Sequence, residues 1–219
     1  MMENKKRIEA ITISAIMIAF AVSISAICAV MPFLNLPFGG GFTIASMLPI
    51  IVVAYMYGTK WGLLTAFVYS VLQMLLGFNT VSAFFLPGDS QMMWWRAILV
   101  VLIDYIVAYT SLGLGGIFRK KFEIKKALVL GSILAISLRY LAHVLSGAIF
   151  FGTWAEWFFT QDGFYSWGQT ILNNFSGASL SFVYSVIYNG TYMIPEVIIT
   201  AIVACFVVRI PQIKMRDEF

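Results

Sequence analysis

The chain's single histidine, His143, lies with Arg139 in an otherwise apolar stretch, LRYLAHVLSGAIFFG at residues 138–152. A charged or titratable side chain is costly in hydrocarbon, so it persists where it has a partner or a function. Gly147 and Phe151 continue the four-residue spacing that Arg139 and His143 begin. Because four residues are close to one helical turn, these side chains form a slowly drifting stripe on one helix face. We expect that stripe to face the interior of a helix bundle.

Two other apolar runs carry polar groups that we place at a similar depth. One contains Asp104 followed by Tyr105, and the other begins with Tyr184, Tyr188 and Asn189. A carboxylate, an imidazole, a carboxamide and several aromatic faces suit a flat heteroaromatic ligand that carries positive charge. Tyr184 and Asn189 are separated by about 140° around an ideal helix. Both can therefore touch one ligand only if the helix start is irregular or the ligand lies over its end.

Each of these residues also has a purely structural interpretation. Asp104 could pair with Arg139, and His143 could bond a backbone carbonyl. Asn189 could join two helices by hydrogen bonds. Glu196, which follows a proline, could neutralise Arg139 below the site. Removal of Glu196 would then destabilise the protein without changing its ligand chemistry.

Membrane-spanning helices must position these groups. The chain of 219 residues is 61% hydrophobic and 11% charged, whereas soluble domains are about 25% charged. A bilayer crossing needs about 20 predominantly apolar residues. The sequence therefore predicts an all-α membrane protein with a single domain, residues 1–219, and six transmembrane helices. The predicted spans are 8–31, 42–58, 61–78, 92–118, 127–151 and 181–208.

The basic residues predict the orientation of the chain. An even number of spans places both termini on one side, and twelve of the fourteen Lys and Arg residues fall on that side. Under the positive-inside rule this side is cytoplasmic, and the clusters are solvated loops rather than a nucleic-acid-binding patch. We expect a multi-pass protein of the bacterial plasma membrane. The twelve residues are Lys5, Lys6, Arg7, Lys60, Arg119, Lys120, Lys121, Lys125, Lys126, Arg209, Lys214 and Arg216.

The motifs of several enzyme classes are missing. The sequence contains no GxxxxGK[ST] phosphate-binding loop, no HExxH and no GxSxG. Cys28 and Cys205 lie in apolar runs without metal-ligand spacing, which is typical of inert packing residues. We therefore expect no catalytic residues, no metal and no cofactor, and a binding or transport role remains by elimination.

Three further segments have distinct character. Ala15, Ala19 and Ser23 form a small-xxx-small stripe in the first span, which suits close helix packing either within the bundle or against an external partner. The first outer connection, PFLNLPFGGGF at 32–42, is either a slack linker or a mobile lid. The third outer connection, at about 156–180, is rich in Trp and Phe and could include a short surface helix. Trp154, Trp157 and Trp167 suit the membrane interface.

Three motifs together resemble one known family. LIDYIVAYTSLGLGG, LRYLAHVLSGAIFFGTW and YSVIYNGTYMIP occur in the order found in the thiamine-specific S components of energy-coupling factor vitamin transporters. The resemblance extends over essentially the whole chain. It implies a membrane subunit that captures thiamine at the outer face and associates with a transmembrane coupling subunit and two cytoplasmic ATPase subunits. Energy would then come from the partners, in agreement with the missing phosphate-binding loop.

The resemblance also implies which residues act. Ala15 and Ala19 would form the docking surface for the coupling subunit. Family members can have Glu in place of Asp104 and Trp in place of Phe151, and both differences keep the chemistry. A family tryptophan in the first outer loop has no clear equivalent here, and Phe42 is our substitute. The implied thiamine-binding residues are Asp104, Tyr105, His143, Gly147, Phe151, Tyr184 and Asn189.

Other functions remain open on the sequence alone. The nearest is an S component for another vitamin or precursor, such as hydroxymethylpyrimidine or riboflavin. A small polytopic membrane enzyme that acts on lipid head groups would need a catalytic base near His143. A structural helper subunit would bind no ligand.

Overall fold

The computed structural model describes residues 2–36 and 40–216, and helices joined by loops make up the chain in these ranges. The only β pairing among them is an isolated bridge between Asn35 and Gly41. The helices, in chain order, are α1 Met2–Ala29, α2 Leu48–Tyr57, α3 Thr59–Leu76, α4 Phe78–Ala83, α5 Trp94–Phe118, α6 Ile124–Phe150, α7 Ala155–Phe159, α8 Tyr165–Asn174 and α9 Gly177–Val207.

Five helices of the described residues, α1, α3, α5, α6 and α9, are long and apolar enough to cross a membrane. They coincide with five of the six predicted spans to within a few residues at most ends. The sixth predicted span, 42–58, corresponds to the ten residues of α2. This helix is shorter than predicted because residues 42–47 are not helical and a proline occupies its first turn, where the missing N–H costs nothing.

Helix α2 forms the centre of the bundle. Nine of its ten residues are buried, and it packs against α1, α3, α6 and the last turns of α5. Small residues permit this close approach. A Cβ on Gly116 of α5 would overlap the Ala54 carbonyl, and a Cβ on Gly131 of α6 would overlap the Gly115 carbonyl. Such contacts suit membrane bundles, where van der Waals packing replaces the hydrophobic effect between helices.

Two of the long helices depart from regular α geometry. In α5, residues Leu102–Val107 form a π-helical turn, and residues Ser111–Phe118 form a 3₁₀ segment. In α9, Pro195 lies inside the helix and removes one backbone donor. Both irregularities lie beside polar side chains singled out in the sequence, and π turns within α-helices are frequent at functional sites.

One predicted solvated charge is instead buried. The side chain of Arg119 is only 5% exposed. Its Nε donates to the Tyr55 carbonyl at 2.8 Å, and its Nη2 donates to the Met56 carbonyl at 2.9 Å. The last carbonyls of a helix have no partner within the helix. Arg119 therefore caps the C-terminal end of α2, and the expectation of a uniformly solvated basic loop was wrong at this residue.

Candidate ligand-binding site

A cavity of about 550 Å³ lies between α5, α6 and α9, with further walls from α4 and the loop after it, from α7, and from the segment before α2. All seven site residues named from the sequence lie on its wall. Their role in ligand binding stays a prediction. The lining residues are Gly40, Gly41, Thr80, Phe84, Ser90, Asp104, Tyr105, Tyr109, Arg139, His143, Gly147, Phe151, Trp154, Trp157, Tyr184, Tyr188, Asn189 and Tyr192.

The Asp104 carboxylate is held by two side chains of α6. His143 Nδ1 lies 3.0 Å from Asp104 Oδ1, and Ser146 Oγ donates to Asp104 Oδ2 at 2.8 Å. A carboxylate can only accept, so His143 Nδ1 carries the hydrogen. His143 Nε2 is buried and has no hydrogen-bond partner among the described residues. The site therefore combines a fixed negative charge with an unsatisfied ring nitrogen.

Arg139 does not pair with Asp104. Its Nη2 donates to the Tyr109 hydroxyl at 2.9 Å, and its Nη1 lies 3.2 Å from the sulfur of Met47. The guanidinium carbon is 4.3 Å from the centre of the Tyr109 ring, a cation–π contact. Within the described residues Arg139 makes no ion pair with Glu196, whose carboxylate instead binds Thr43. The direct neutralisation suggested by the sequence is therefore not formed.

Asn189 supports both interpretations drawn from the sequence. Its Nδ2 donates to the Ser185 carbonyl at 2.8 Å and to the His143 carbonyl at 3.3 Å, so it joins α9 to α6. Its Oδ1 accepts from Tyr192. Gly147 permits this approach, because a Cβ there would overlap Ser185 Oγ. The amide lines the cavity and also holds its wall together.

Aromatic rings cover much of the remaining wall. Tyr184 and Tyr188 stack with ring centres 5.5 Å apart, and Tyr188 meets Tyr192 edge-on at 6.0 Å. Phe151, another ring of the wall, packs edge-on against Phe84. The three tyrosines extend over two turns of α9, so the cavity follows the helix. Tyr184 and Asn189 therefore line the same cavity although both lie within continuous α-helix.

Several wall residues were missed from the sequence. Tyr109 and Tyr192 belong to stripes of tyrosines at four-residue intervals, and this spacing could have revealed them. Trp154 and Trp157 were assigned to the membrane interface but line the cavity. They are presented by the turn before α7 and by α7 itself, which no periodic pattern in the sequence marks.

The first outer connection reaches the cavity through glycines. Gly40 and Gly41 lie on the wall, whereas Phe42, the proposed substitute for a family tryptophan, is not among the lining residues. The centre of this connection, residues 37–39, lies outside the described residues, so the predicted lid has no structural test there. The third outer connection contains two short helices, α7 and α8, but α7 is not a surface helix because Ala155, Phe158 and Phe159 are buried.

The small residues of α1 face away from the bundle. Ala15, Ala19 and Ser23 are exposed, whereas Ser14 and Ala21 on the opposite face are buried. The stripe therefore does not pack within this bundle, which was one of the two interpretations drawn from the sequence.

Three comparisons relate the chain to known proteins. Residues 11–167 match the family described as thiamine transporter protein. The thiamine transporter ThiT of Bacillus subtilis (strain 168) is 31% identical over 229 aligned positions, which cover all of both chains. The solved structure of ThiT from Listeria monocytogenes has a TM-score of 0.62 at 21% sequence identity, and the match covers 96% of this chain and all of the other. At that identity the structural match supports the fold alone.

Proposed function

This chain belongs to the thiamine transporter protein family, and from this membership we propose that it binds thiamine in the cavity between α5, α6 and α9 and serves thiamine uptake across the cell membrane. It is a multi-pass membrane protein and not an enzyme. We propose that residues 1–219 act as one substrate-binding domain, the S component of an energy-coupling factor transporter.

The observation that carries this proposal is a buried carboxylate inside an aromatic cavity. The Asp104 side chain is 18% exposed and accepts hydrogen bonds from His143 and Ser146. Thiamine carries a permanent positive charge on its thiazolium ring and an amino group on its pyrimidine ring. A carboxylate attracts the charge or accepts from the amine, and tyrosine faces attract cationic rings.

We assign the remaining side chains by their chemistry. Phe151 and Tyr105 offer faces on which the two rings can stack. His143 Nε2, which has no partner among the described residues, is available for one hydrogen bond. Tyr184 and Asn189 supply further polar contacts on α9, and Gly147 leaves the space between α6 and α9 open.

We propose six crossings with both termini in the cytoplasm. Helix α2 rises about 15 Å, half of a hydrocarbon core of about 30 Å. Irregular backbone is tolerated at membrane depth where it is buried in protein or lines a cavity. Residues 40 and 41 lie on the cavity wall, so the segment before α2 can complete the crossing. The six crossings then place all four basic clusters on the cytoplasmic side.

The proposed partners are a transmembrane coupling subunit and two cytoplasmic ATPase subunits. The exposed Ala15 and Ala19 of α1 offer a smooth surface for close helix packing with the coupling subunit. The sequence lacks a phosphate-binding loop, so ATP hydrolysis must be supplied by other chains.

Titration of the purified protein with thiamine tests the proposal. Because Trp154 and Trp157 line the cavity, binding should change tryptophan fluorescence, and calorimetry should give matching heat. Hydroxymethylpyrimidine and riboflavin serve as competitors and should displace thiamine poorly. A protein that releases no heat with thiamine, or prefers either competitor, would contradict the assignment.

A further inference from the structure

The buried carboxylate of Glu196 accepts hydrogen bonds from the chain segment that precedes α2. Glu196 is not one of the proposed thiamine contacts. Thr43 donates to it twice: the backbone N–H to Oε2 at 2.6 Å and the hydroxyl to Oε1 at 2.7 Å. Glu196 is 2% exposed and lies on α9 directly after Pro195. A buried carboxylate is costly unless its oxygens accept hydrogen bonds. Both oxygens accept from a single residue of the chain that precedes α2.

The residues around Thr43, 40–47, form what we call the wall segment. Gly40 at its start lies against α9: a Cβ there would be 2.9 Å from Tyr192 Cδ1 and 3.7 Å from the Tyr188 hydroxyl. Tyr192 and Glu196 are four residues apart and so lie on one face of α9. The wall segment therefore meets α9 at two points one turn apart, and the first of them is part of the cavity wall.

The turn that follows Thr43 is strained. Ala45 has a φ of 57°, in the left-handed region that non-glycine residues rarely adopt. Such a conformation persists only where the surrounding structure holds it. Here the Thr43 and Ser46 side-chain oxygens lie 2.7 Å apart, and Met47 contacts Arg139 of α6. The wall segment is thus fixed by Glu196 on one side and by Arg139 on the other.

We propose that Glu196 is a positioning residue for the binding site, which holds the wall segment through Thr43 and thereby limits escape of the ligand past Gly40. This inference rests on the proposed function, because it gives a role to a residue beside that same cavity. Without the hydroxyl contact, the strained turn can relax and Gly40 can leave Tyr192. The ligand then dissociates faster, whereas its contacts with Asp104 are unchanged.

Matched variants of the full-length protein separate this role from a purely structural one. Thr43→Val removes the hydroxyl at nearly constant volume, and Thr43→Ser restores it. Thr200→Val is the control, since Thr200 lies one turn beyond Glu196, is fully buried, and its hydroxyl has no hydrogen-bond partner among the described residues. Glu196→Gln keeps the shape but replaces one acceptor with a donor.

Stopped-flow fluorescence measures thiamine dissociation in these proteins. Loss of the contact between the Thr43 hydroxyl and Glu196 should speed dissociation about tenfold in Thr43→Val and Glu196→Gln. Thr43→Val also loses the contacts of this hydroxyl with Ser46, whereas Glu196→Gln keeps them. Association should change much less, and Thr43→Ser and Thr200→Val should resemble the unmodified protein. If Thr43→Val lowers only the melting temperature, or if Thr200→Val accelerates dissociation equally, the positioning role is refuted.

Hydrogen exchange provides a test that needs no ligand. Amides of residues 40–47 should exchange about tenfold faster in Thr43→Val than in Thr200→Val. Opening of the wall segment costs less free energy in Thr43→Val, because the hydrogen bond from the hydroxyl to Glu196 no longer has to be broken. Equal exchange in the two variants overturns the inference. An unmodified protein that fails to bind thiamine would instead overturn the proposed function, and the exchange comparison would still decide the role of Glu196.

Discussion

Replacement of Asp104 by Asn should separate ligands by charge. The Asp104 side chain is largely buried, so an effective dielectric constant of about 20 applies rather than that of water. At a separation of about 5 Å, the carboxylate and a fixed positive charge then attract by about 3 kcal/mol. The amide also cannot accept from both His143 and Ser146, which costs about 1 kcal/mol for any ligand that needs this geometry.

Calorimetry with two ligands isolates the charge effect. Asp104→Asn should weaken the binding of neutral hydroxymethylpyrimidine about fivefold. Thiamine should show the same fivefold loss and, in addition, about a 150-fold loss from the missing charge attraction. Asp104→Glu should preserve the difference between the two ligands. Asp89→Asn, an identical change at an exposed position, should affect neither. An equal loss for both ligands would refute the electrostatic role of Asp104.

Three further changes test other parts of the structure. Gly147→Ala should lower stability by about 1–3 kcal/mol by overpacking against Ser185, whereas Gly190→Ala, whose added carbon would be 3.4 Å from its nearest neighbour, should cost less in a thermal melt. Arg119→Met should lower stability by about 1–3 kcal/mol, and with it the melting temperature, because the Tyr55 carbonyl loses the Arg119 donor and the Met56 carbonyl keeps only the Arg216 backbone N–H. The exposed Lys121→Met is its control, and equal melting of the two would contradict the capping role. Ala15→Phe should leave thiamine binding unchanged but reduce co-purification with the coupling subunit, and undiminished co-purification would argue against docking through α1.

The sequence predicted the long helices and the main polar groups well, for physical reasons. A long apolar run has few alternatives to a spanning helix, because every backbone group must be satisfied within the segment. Asp104 and His143 stood out because titratable groups are rare in such runs. Their direct contact agrees with the placement of both groups at a similar depth.

Features that depend on the path of irregular backbone could not be predicted. Nothing in the residue types shows that Thr43 meets Glu196, which lies 153 positions away, or that Ala45 takes a left-handed conformation. The π turn at Leu102–Val107 likewise has no sequence signal. The tryptophans of residues 154 and 157 look the same in sequence whether they face lipid or a cavity, since a short helix presents no period.

The shortness of α2 links the fold to the site. A full-length apolar helix in this position would fill the centre of the bundle along its whole depth and leave no room for a polar cavity. Because α2 begins only at Leu48, the space beyond its N-terminal end is bounded by the wall segment and by polar side chains of α5, α6 and α9. The irregular backbone beside that space must find hydrogen-bond partners other than those of a helix, because lipid offers none. Glu196 and Arg139 are two of those hydrogen-bond partners. Their charges are unusual in membrane helices, and they are needed here because α2 is short and the chain before it is irregular.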